Sequence, residues 1–222
     1  QHTDDPLEAI QKIHRQFNVP EQDSMPRFNG GLVGYFAYDS VRYVETSMGP
    51  APGEDQIGTP DILLMLSEEV VVFDNLRGTI SFIINVDPSA KQAYENAELR
   101  LNQLQAELHK PVPLPKISTG SNSIAENDFA FHFQQQLYQQ AVGKIKDYIV
   151  AGDVMQVVLA QRMSVDFSGD PVNIYRALRF LNPSPYMVYF DLGDHHVVSA
   201  SPEILARVDD GKITVRPLAG TR

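Results

Sequence analysis

The stretch DILLMLSEEVVVFDNLRGTISFIINV, residues 61–86, carries the strongest fold signal in this chain. It contains three apolar runs of strand length, at 62–66, 70–73 and 80–84, and a polar turn at 75–78. Apolar runs bounded by turn residues predict β-strands, and a short turn between two of them makes the pair antiparallel. The stretch therefore predicts antiparallel β-structure in the first half of the chain.

Helices are predicted on both sides of these strands. Between residues 88 and 108 apolar side chains recur at intervals of three or four, which is typical of a helix that covers a sheet, and we expect that helix to open at Asp87-Pro88. Capping residues mark three other helices: an Asp-Pro pair at the start or a Gly at the end. These helices are predicted over residues 6–17, 133–151 and 171–181.

Strand-like runs fill most of the remaining chain. They are predicted at 30–38, 154–167, 186–190, 196–200, 204–208 and 213–215, with a hairpin turn at 209–212. The predicted fold class is α+β, with mostly antiparallel sheets packed with helices. A Pro- and Ser-rich linker at 110–128 separates a first domain, 1–109, from a second, 129–222.

Composition limits the classes of function. The 222 residues carry a net charge of −10 and no stripe of Lys or Arg, which argues against a nucleic-acid partner. No run approaches the ~20 apolar residues of a membrane helix, so no membrane partner is expected. The absence of Cys fits a cytoplasmic location. The acidic doublets Glu68-Glu69 and Asp209-Asp210 are expected at turns, as solvated carboxylates.

Three segments hold the polar residues that could carry chemistry, at 152–158, 201–203 and 217–222. Gln156 lies in an apolar run, where burial of its amide would need partners, although an exposed strand face explains it about as well. Glu203 follows a Ser-Pro corner, as acidic residues also do at ordinary turns. The Gly220-Thr221 pair suits an anion held by backbone N–H groups. The histidines show no metal-ligand spacing, and hydrolase, NTPase and dinucleotide motifs are absent from the sequence.

Four further motifs carry a family resemblance. They are FNGGLVGYF at 28–36, IKDYIVAGD at 145–153, NPSPYM at 182–187 and RPLAGTR at 216–222. Their residues and their order resemble the chorismate-utilising enzyme family, and within it the anthranilate synthase component I branch. The resemblance runs from about Phe28 to the last residue.

The resemblance implies roles for individual residues. Glu203 matches the family glutamate that protonates the departing C4 hydroxyl of chorismate, and Gly220 and Thr221 match a substrate-contacting pair. Gln156 matches the position where water-using relatives carry a basic Lys; ammonia needs no base, so Gln indicates an ammonia user. Ala219 matches the position of a nucleophilic Lys in aminodeoxychorismate synthases, and Ala closes that covalent route.

The resemblance also implies regulation, a metal and a partner. Pro185, Tyr186 and Met187 match a segment that lines an allosteric tryptophan site. Magnesium is expected as cofactor, with ligands beyond residue 222 and none within this chain. Ammonia is expected from glutamine through a separate amidotransferase subunit. The missing magnesium segment and a missing N-terminal loop suggest that the chain is an incomplete portion of the family fold, inactive on its own.

The implied activity is the conversion of chorismate and ammonia to anthranilate and pyruvate in tryptophan biosynthesis. Two alternatives stay open. One is the aminodeoxychorismate synthase component, because the sequence Leu159-Ala160-Gln161-Arg162 resembles that of aminodeoxychorismate synthases. The other is a non-catalytic, tryptophan-binding or scaffold role.

Overall fold

The structure is a computed structural model that describes residues 5–20, 22–51, 53, 55–112 and 124–216. Contacts between Cα atoms divide the chain into two compact units, Gln1–Pro115 and Lys116–Arg222. The boundary between the units falls inside the predicted linker, 110–128. The predicted limits of the two domains remain a prediction.

The described part of the first unit contains two α-helices and two antiparallel strand pairs. Its elements are α1 (Pro6–His14), β1 (Gly31–Phe36), β2 (Ile62–Ser67), β3 (Glu69–Asp74), β4 (Thr79–Ile84) and α2 (Ala93–Leu108), with short 3-10 helices at Tyr38–Tyr43 and Thr46–Met48. The second unit contains a short 3-10 helix, Glu126–Asp128, two helices and three strand pairs. Its elements are β5 (Ala130–Phe131), α3 (Gln135–Ala151), β6 (Met163–Ser164), α4 (Pro171–Leu181), β7 (Tyr186–Asp191), β8 (His196–Ser201), β9 (Arg207–Asp209) and β10 (Lys212–Thr214).

Every strand pair in the described part of the chain is antiparallel, which confirms the predicted α+β class. The pairs are β1 with β2, β3 with β4, β5 with β6, β7 with β8 and β9 with β10. Turn chemistry explains the hairpins locally. Between β3 and β4 the Asp74 carboxylate accepts hydrogen bonds from the N–H groups of Leu76 and Arg77, and Gly78 takes a positive φ of 67°.

The glycine-rich motif before β2 serves close strand packing. A Cβ on Gly34 would lie 1.9 Å from the carbonyl oxygen of Leu63 on the paired strand. Gly30 leaves room for the Asn85 side chain, which donates a hydrogen bond to the carbonyl of Asn29 at 2.7 Å. Larger residues would push these segments apart, so the motif has a packing role here.

Two predicted elements were wrong. Helix α2 begins at Ala93, because the Asp87 carboxylate instead closes a turn by accepting from the N–H and hydroxyl of Ser89. The strand predicted at 154–167 is reduced to the two residues of β6. In the described part of the second unit no strand pairs with residues 154–160, and an apolar run without a ladder partner does not form a strand.

Much of the apolar surface of both units is uncovered. Among the described residues, Ile83 in β4 is the only apolar side chain that is buried, and it remains 8% exposed. Phe36 and Phe73, which lie on strands, are 52% and 60% exposed. An amphipathic sheet normally buries its apolar face against a second layer, so these hairpins present faces that a second layer could cover.

An ion pair joins β3 to α2. Arg100 donates Nε–H to one Glu69 oxygen at 2.8 Å and a terminal N–H to the other at 2.9 Å. The expectation of a solvated turn carboxylate was therefore wrong for Glu69, which begins a strand and has a cationic partner 31 residues away. The hydrogen bonds from Arg100 hold the pKa of Glu69 below its ordinary value of 4.5.

We expect this pair to make stability depend on pH. A carboxyl group whose pKa is depressed by folding contributes stability above its unfolded pKa, and that contribution is lost as the pH falls through the folded pKa. The free energy of unfolding, measured with urea, should be slightly lower for Glu69→Gln than for the wild type at pH 7. The difference should shrink as the pH falls below 4.5 and vanish once the pH is below the lowered pKa of Glu69. Glu68→Gln, an exposed neighbour, is the control. A difference that persists unchanged into acid would contradict the ion-pair explanation.

Candidate active site

Glu203 lies on a corner that follows β8. The Ser201 hydroxyl donates a hydrogen bond to the Glu203 carbonyl oxygen at 2.9 Å, and the Glu203 N–H donates to the same hydroxyl at 3.4 Å. The residue is half-buried. Its carboxylate makes no hydrogen bond or ion pair with any other described residue. The corner thus holds the Glu203 backbone by local bonds and leaves its carboxylate available to a ligand.

The β7–β8 hairpin brings a second predicted segment beside this corner. Tyr186 is paired with Ser201 and Met187 with Ala200. The Ser184 hydroxyl donates a hydrogen bond to the Ser201 carbonyl oxygen. Tyr186 and Met187 therefore lie on β7, with Pro185 just before it, next to the strand that ends at Ser201, two residues before Glu203. Sequence reasoning did not predict this adjacency, because it depends on the hairpin register.

Neighbouring residues of β7 face opposite sides of the hairpin. Met187 and Tyr189 share one face, and Tyr186 lies on the other. Helix α4 packs on the first of these faces, where the rings of Tyr175 and Tyr189 meet edge to face with centroids 6.2 Å apart. Loss of water contact, and secondarily the carboxylates of Asp191 and Asp170, raise the pKa of Tyr189. A single ligand therefore cannot contact Tyr186 and Met187 through the same face of the hairpin.

Gln156 lies in the irregular segment between α3 and β6. Gly152 ends α3 with a φ of 82°, as predicted, and the chain leaves the helix there. The Gln156 side chain is exposed, so its amide is not buried within an apolar strand and the alternative of an exposed Gln is the one observed. Within residues 124–216 no hydrogen bond joins Gln156 to Glu203, and the structure does not bring the two residues into contact.

A second glutamine anchors this segment. Antiparallel pairing of β5 with β6 continues through the bond from the His132 N–H to the Arg162 carbonyl, at 3.0 Å. At Phe133 the Gln161 side chain, in place of the backbone of the neighbouring strand, bonds to the Phe133 backbone. Its amide donates to the Phe133 carbonyl at 2.7 Å and accepts from the Phe133 N–H at 3.0 Å. Because the side chain completes the ladder, the backbone before residue 161 is free to leave the sheet toward Gln156.

An open cleft of about 520 Å³ lies elsewhere in the second unit. Its lining includes Asp128, Ser164 and Asp166, and neither Gln156 nor Glu203. The carboxylates of Asp128 and Asp166 in this lining repel an anionic ligand. The cleft is therefore a poor site for a small anion and does not coincide with the predicted site residues.

Other predicted features fall partly outside the described structure. Gly220 and Thr221 lie outside the described residues. In the part that is described, no group of three or more His, Asp or Glu side chains could hold a metal ion, so these residues do not fit magnesium. None of the described helices has the length and apolar character needed to cross a membrane.

Comparisons with known proteins agree with the resemblance. The profile of the family described as chorismate binding enzyme matches residues 1–222. Anthranilate synthase component 1 of Pseudomonas putida is 50% identical over 220 residues, covering 99% of this chain and 45% of the relative. The Neisseria meningitidis serogroup B and Aquifex aeolicus proteins of the same name are 46% and 41% identical, over 100% and 99% of this chain, and are covered to 45% and 44%.

A solved structure shows the same fold. The crystal structure of anthranilate synthase component I from Streptococcus pneumoniae TIGR4 matches with a TM-score of 0.74 and 31% identity, over 92% of this chain and 46% of that one. The chain spans about half the length of the curated relatives it matches. It belongs to the chorismate binding enzyme family.

Proposed function

We propose that the protein is the synthase component of an anthranilate synthase, a lyase that forms anthranilate and pyruvate from chorismate and ammonia. The observation that carries the proposal is the 50% identity to a relative of that name over 99% of this chain. Because the chain spans 45% of that relative, the proposal concerns the activity of the full-length protein. The Glu203 carboxylate, which has no partner among the described residues and lies on a fixed corner, is compatible with it.

The proposed role of Glu203 is that of general acid. Ammonia attacks C2 of chorismate, the ring double bonds shift, and the C4 hydroxyl leaves as water after it receives the Glu203 proton. Elimination of pyruvate then restores the aromatic ring, so one chorismate and one ammonia give anthranilate, pyruvate and water. Hydroxide is a poor leaving group, and a positioned carboxylic acid lowers that barrier.

Gln156 and Ala219 are proposed to exclude the competing nucleophiles. An amide cannot deprotonate water, whereas ammonia attacks through its own lone pair. Ala219 offers no amine for a covalent route. Gln156 lies in an exposed segment without a described partner, so its place beside the substrate is part of the proposal and is not seen in the structure.

The remaining features rest on the family resemblance. We propose magnesium as cofactor, with ligands beyond residue 222. Gly220 and Thr221 are proposed to contact chorismate. Glutamine is proposed to supply ammonia through an amidotransferase subunit, and tryptophan to inhibit by binding near Pro185, Tyr186 and Met187. A cytoplasmic location fits a pathway of small soluble metabolites.

Product analysis tests the proposal. The full-length protein, given chorismate, ammonium and magnesium, should produce fluorescent anthranilate, whereas the 222-residue chain alone should give no fluorescence above a blank without protein. Non-fluorescent aminodeoxychorismate would instead support the alternative, an aminodeoxychorismate synthase component, which the sequence from Leu159 to Arg162 resembles. No product, with tryptophan still bound, would indicate a scaffold role. Anthranilate from the 222-residue chain would show that the essential residues lie within it.

A further inference from the structure

We propose that Ser201 and Ser184 are positioning residues for Glu203, whose hydroxyl groups form a hydrogen-bond chain that fixes the corner carrying this carboxylate. The inference deepens the proposed function and rests on the acid role given there to Glu203. It is drawn from three hydrogen bonds at the end of the β7–β8 hairpin.

The first part of the chain is local to the corner. Strand β8 ends at Ser201, and Pro202 has no N–H to continue the ladder. The next backbone donor is the N–H of Glu203, which finds the Ser201 hydroxyl oxygen at 3.4 Å. The same hydroxyl donates its proton to the Glu203 carbonyl at 2.9 Å. A serine hydroxyl can donate and accept at once, so one side chain holds both polar groups of the Glu203 backbone.

The second part connects the corner to the neighbouring strand. The last register pair of the hairpin is Tyr186 with Ser201. Pro185 precedes Tyr186 and also lacks an N–H, so the backbone ladder cannot continue past that pair. The Ser184 hydroxyl takes its place by donating to the Ser201 carbonyl. The Ser184 hydroxyl thus continues the cross-strand bonding beyond Pro185, whereas the Ser201 hydroxyl closes the corner beyond Pro202 within its own segment.

The chain matters for catalysis because a general acid acts only within hydrogen-bond reach of its target. A misplacement of about 1 Å can cost about 10²-fold in rate. The Glu203 carboxylate has no partner among the described residues that would hold it otherwise. The backbone of the corner therefore fixes the Cα–Cβ bond from which the carboxylate projects, and Ser201 and Ser184 hold that backbone.

Kinetics of the full-length protein give the first test. Ser201→Ala should lower kcat with chorismate and ammonium by about tenfold or more and change the KM for chorismate by less than about threefold. Ser184→Ala should act in the same direction with a smaller effect. Ser201→Thr, which keeps the hydroxyl, should recover most of the rate. Ser199→Ala is the matched control, since Ser199 is an exposed residue of the same strand.

A double-mutant cycle separates positioning from general support of the fold. In the Glu203→Gln background, adding Ser201→Ala should change kcat by less than about twofold, because Ser201 acts through the carboxylate that is already removed. Equal losses in the two backgrounds would overturn the proposal, and so would a Ser201→Ala variant as active as Ser199→Ala.

Hydrogen exchange tests the geometry without reference to turnover. The Glu203 amide should exchange faster in Ser201→Ala than in Ser199→Ala. If it does and the wild type still forms no anthranilate, the proposed function has failed while the positioning geometry stands. If anthranilate is formed and the exchange rates are equal, the positioning inference fails and the proposed function survives.

Discussion

Replacing Glu203 by Gln in the full-length protein should lower kcat for the ammonia-dependent reaction by about 10²–10⁴-fold, the usual effect of losing a general acid. The amide has nearly the size of the carboxylic acid but cannot deliver a proton to the C4 hydroxyl. Chorismate binding should persist, because the substitution leaves the backbone bonds of the corner with Ser201 in place. Steady-state formation of anthranilate measures kcat and KM separately.

The control is Glu126→Gln, an exposed glutamate of the same unit, which should remain close to the wild type. Turnover by Glu203→Gln within a few-fold of the wild type would show that Glu203 is structural. A large rise in the KM for chorismate at unchanged kcat would instead indicate a binding role. Either result would remove the acid from the proposed mechanism.

Elements governed by local chemistry could be predicted from the sequence. Helix α4 has the predicted bounds, 171–181, since the Asp170 carboxylate caps it by accepting from the Val172 N–H and Pro171 is at its first position. The β9–β10 hairpin turns at Asp210 and Gly211, both with positive φ, as the Asp-Gly pair indicates. In each case the deciding interaction lies within a few residues of the signal.

Elements that depend on distant partners could not be predicted in this way. The apolar run that contains Met155 and Val158 resembles a strand, but these side chains are 97% and 85% exposed and no described strand pairs with them. The Asp87-Pro88 pair resembles a helix start, but the nearby Ser89 captures the carboxylate. An apolar pattern shows what a segment could bury and does not show which partner is present.

The residues of the candidate site also divide into those with a signal in the sequence and those that depend on distant partners. Glu203 could be singled out only through the family resemblance, since its Ser-Pro corner alone also fits an ordinary turn. The contribution of Ser184 depends on a bond to a residue 17 positions away and has no local signal. Gln161 also lacks a local signal, since its amide donates a hydrogen bond to the carbonyl of Phe133, 28 residues earlier in the chain. Residues 159–162 thus contain the side chain that anchors the segment leading back to Gln156.

The segment from Pro185 to Met187 should control inhibition by tryptophan without controlling the reaction itself. Met187→Thr in the full-length protein tests this. We expect the concentration of tryptophan that gives half-inhibition to rise about 5- to 30-fold, with uninhibited turnover nearly unchanged. A flexible thioether packs well against an indole ring. A shorter polar side chain loses about 1–2 kcal/mol of that apolar contact. An inhibitor acts only through its differential affinity, so the loss appears as weaker inhibition.

The hairpin supplies the control for this prediction. Thr is well suited to a β-strand, so the pairing of Met187 with Ala200 should survive the substitution. Val188→Thr places the same residue on the opposite face of β7, which also carries Tyr186. It should leave the tryptophan response near that of the wild type if the effector contacts the Met187 face, and should weaken the response if the effector contacts the Tyr186 face. Inhibition curves for both variants and the wild type, recorded at one chorismate concentration, decide the matter. If Met187→Thr abolished turnover and left the tryptophan response of any residual activity unchanged, the face of β7 that carries Met187 would belong to the catalytic machinery. The effector site would then have to be sought elsewhere.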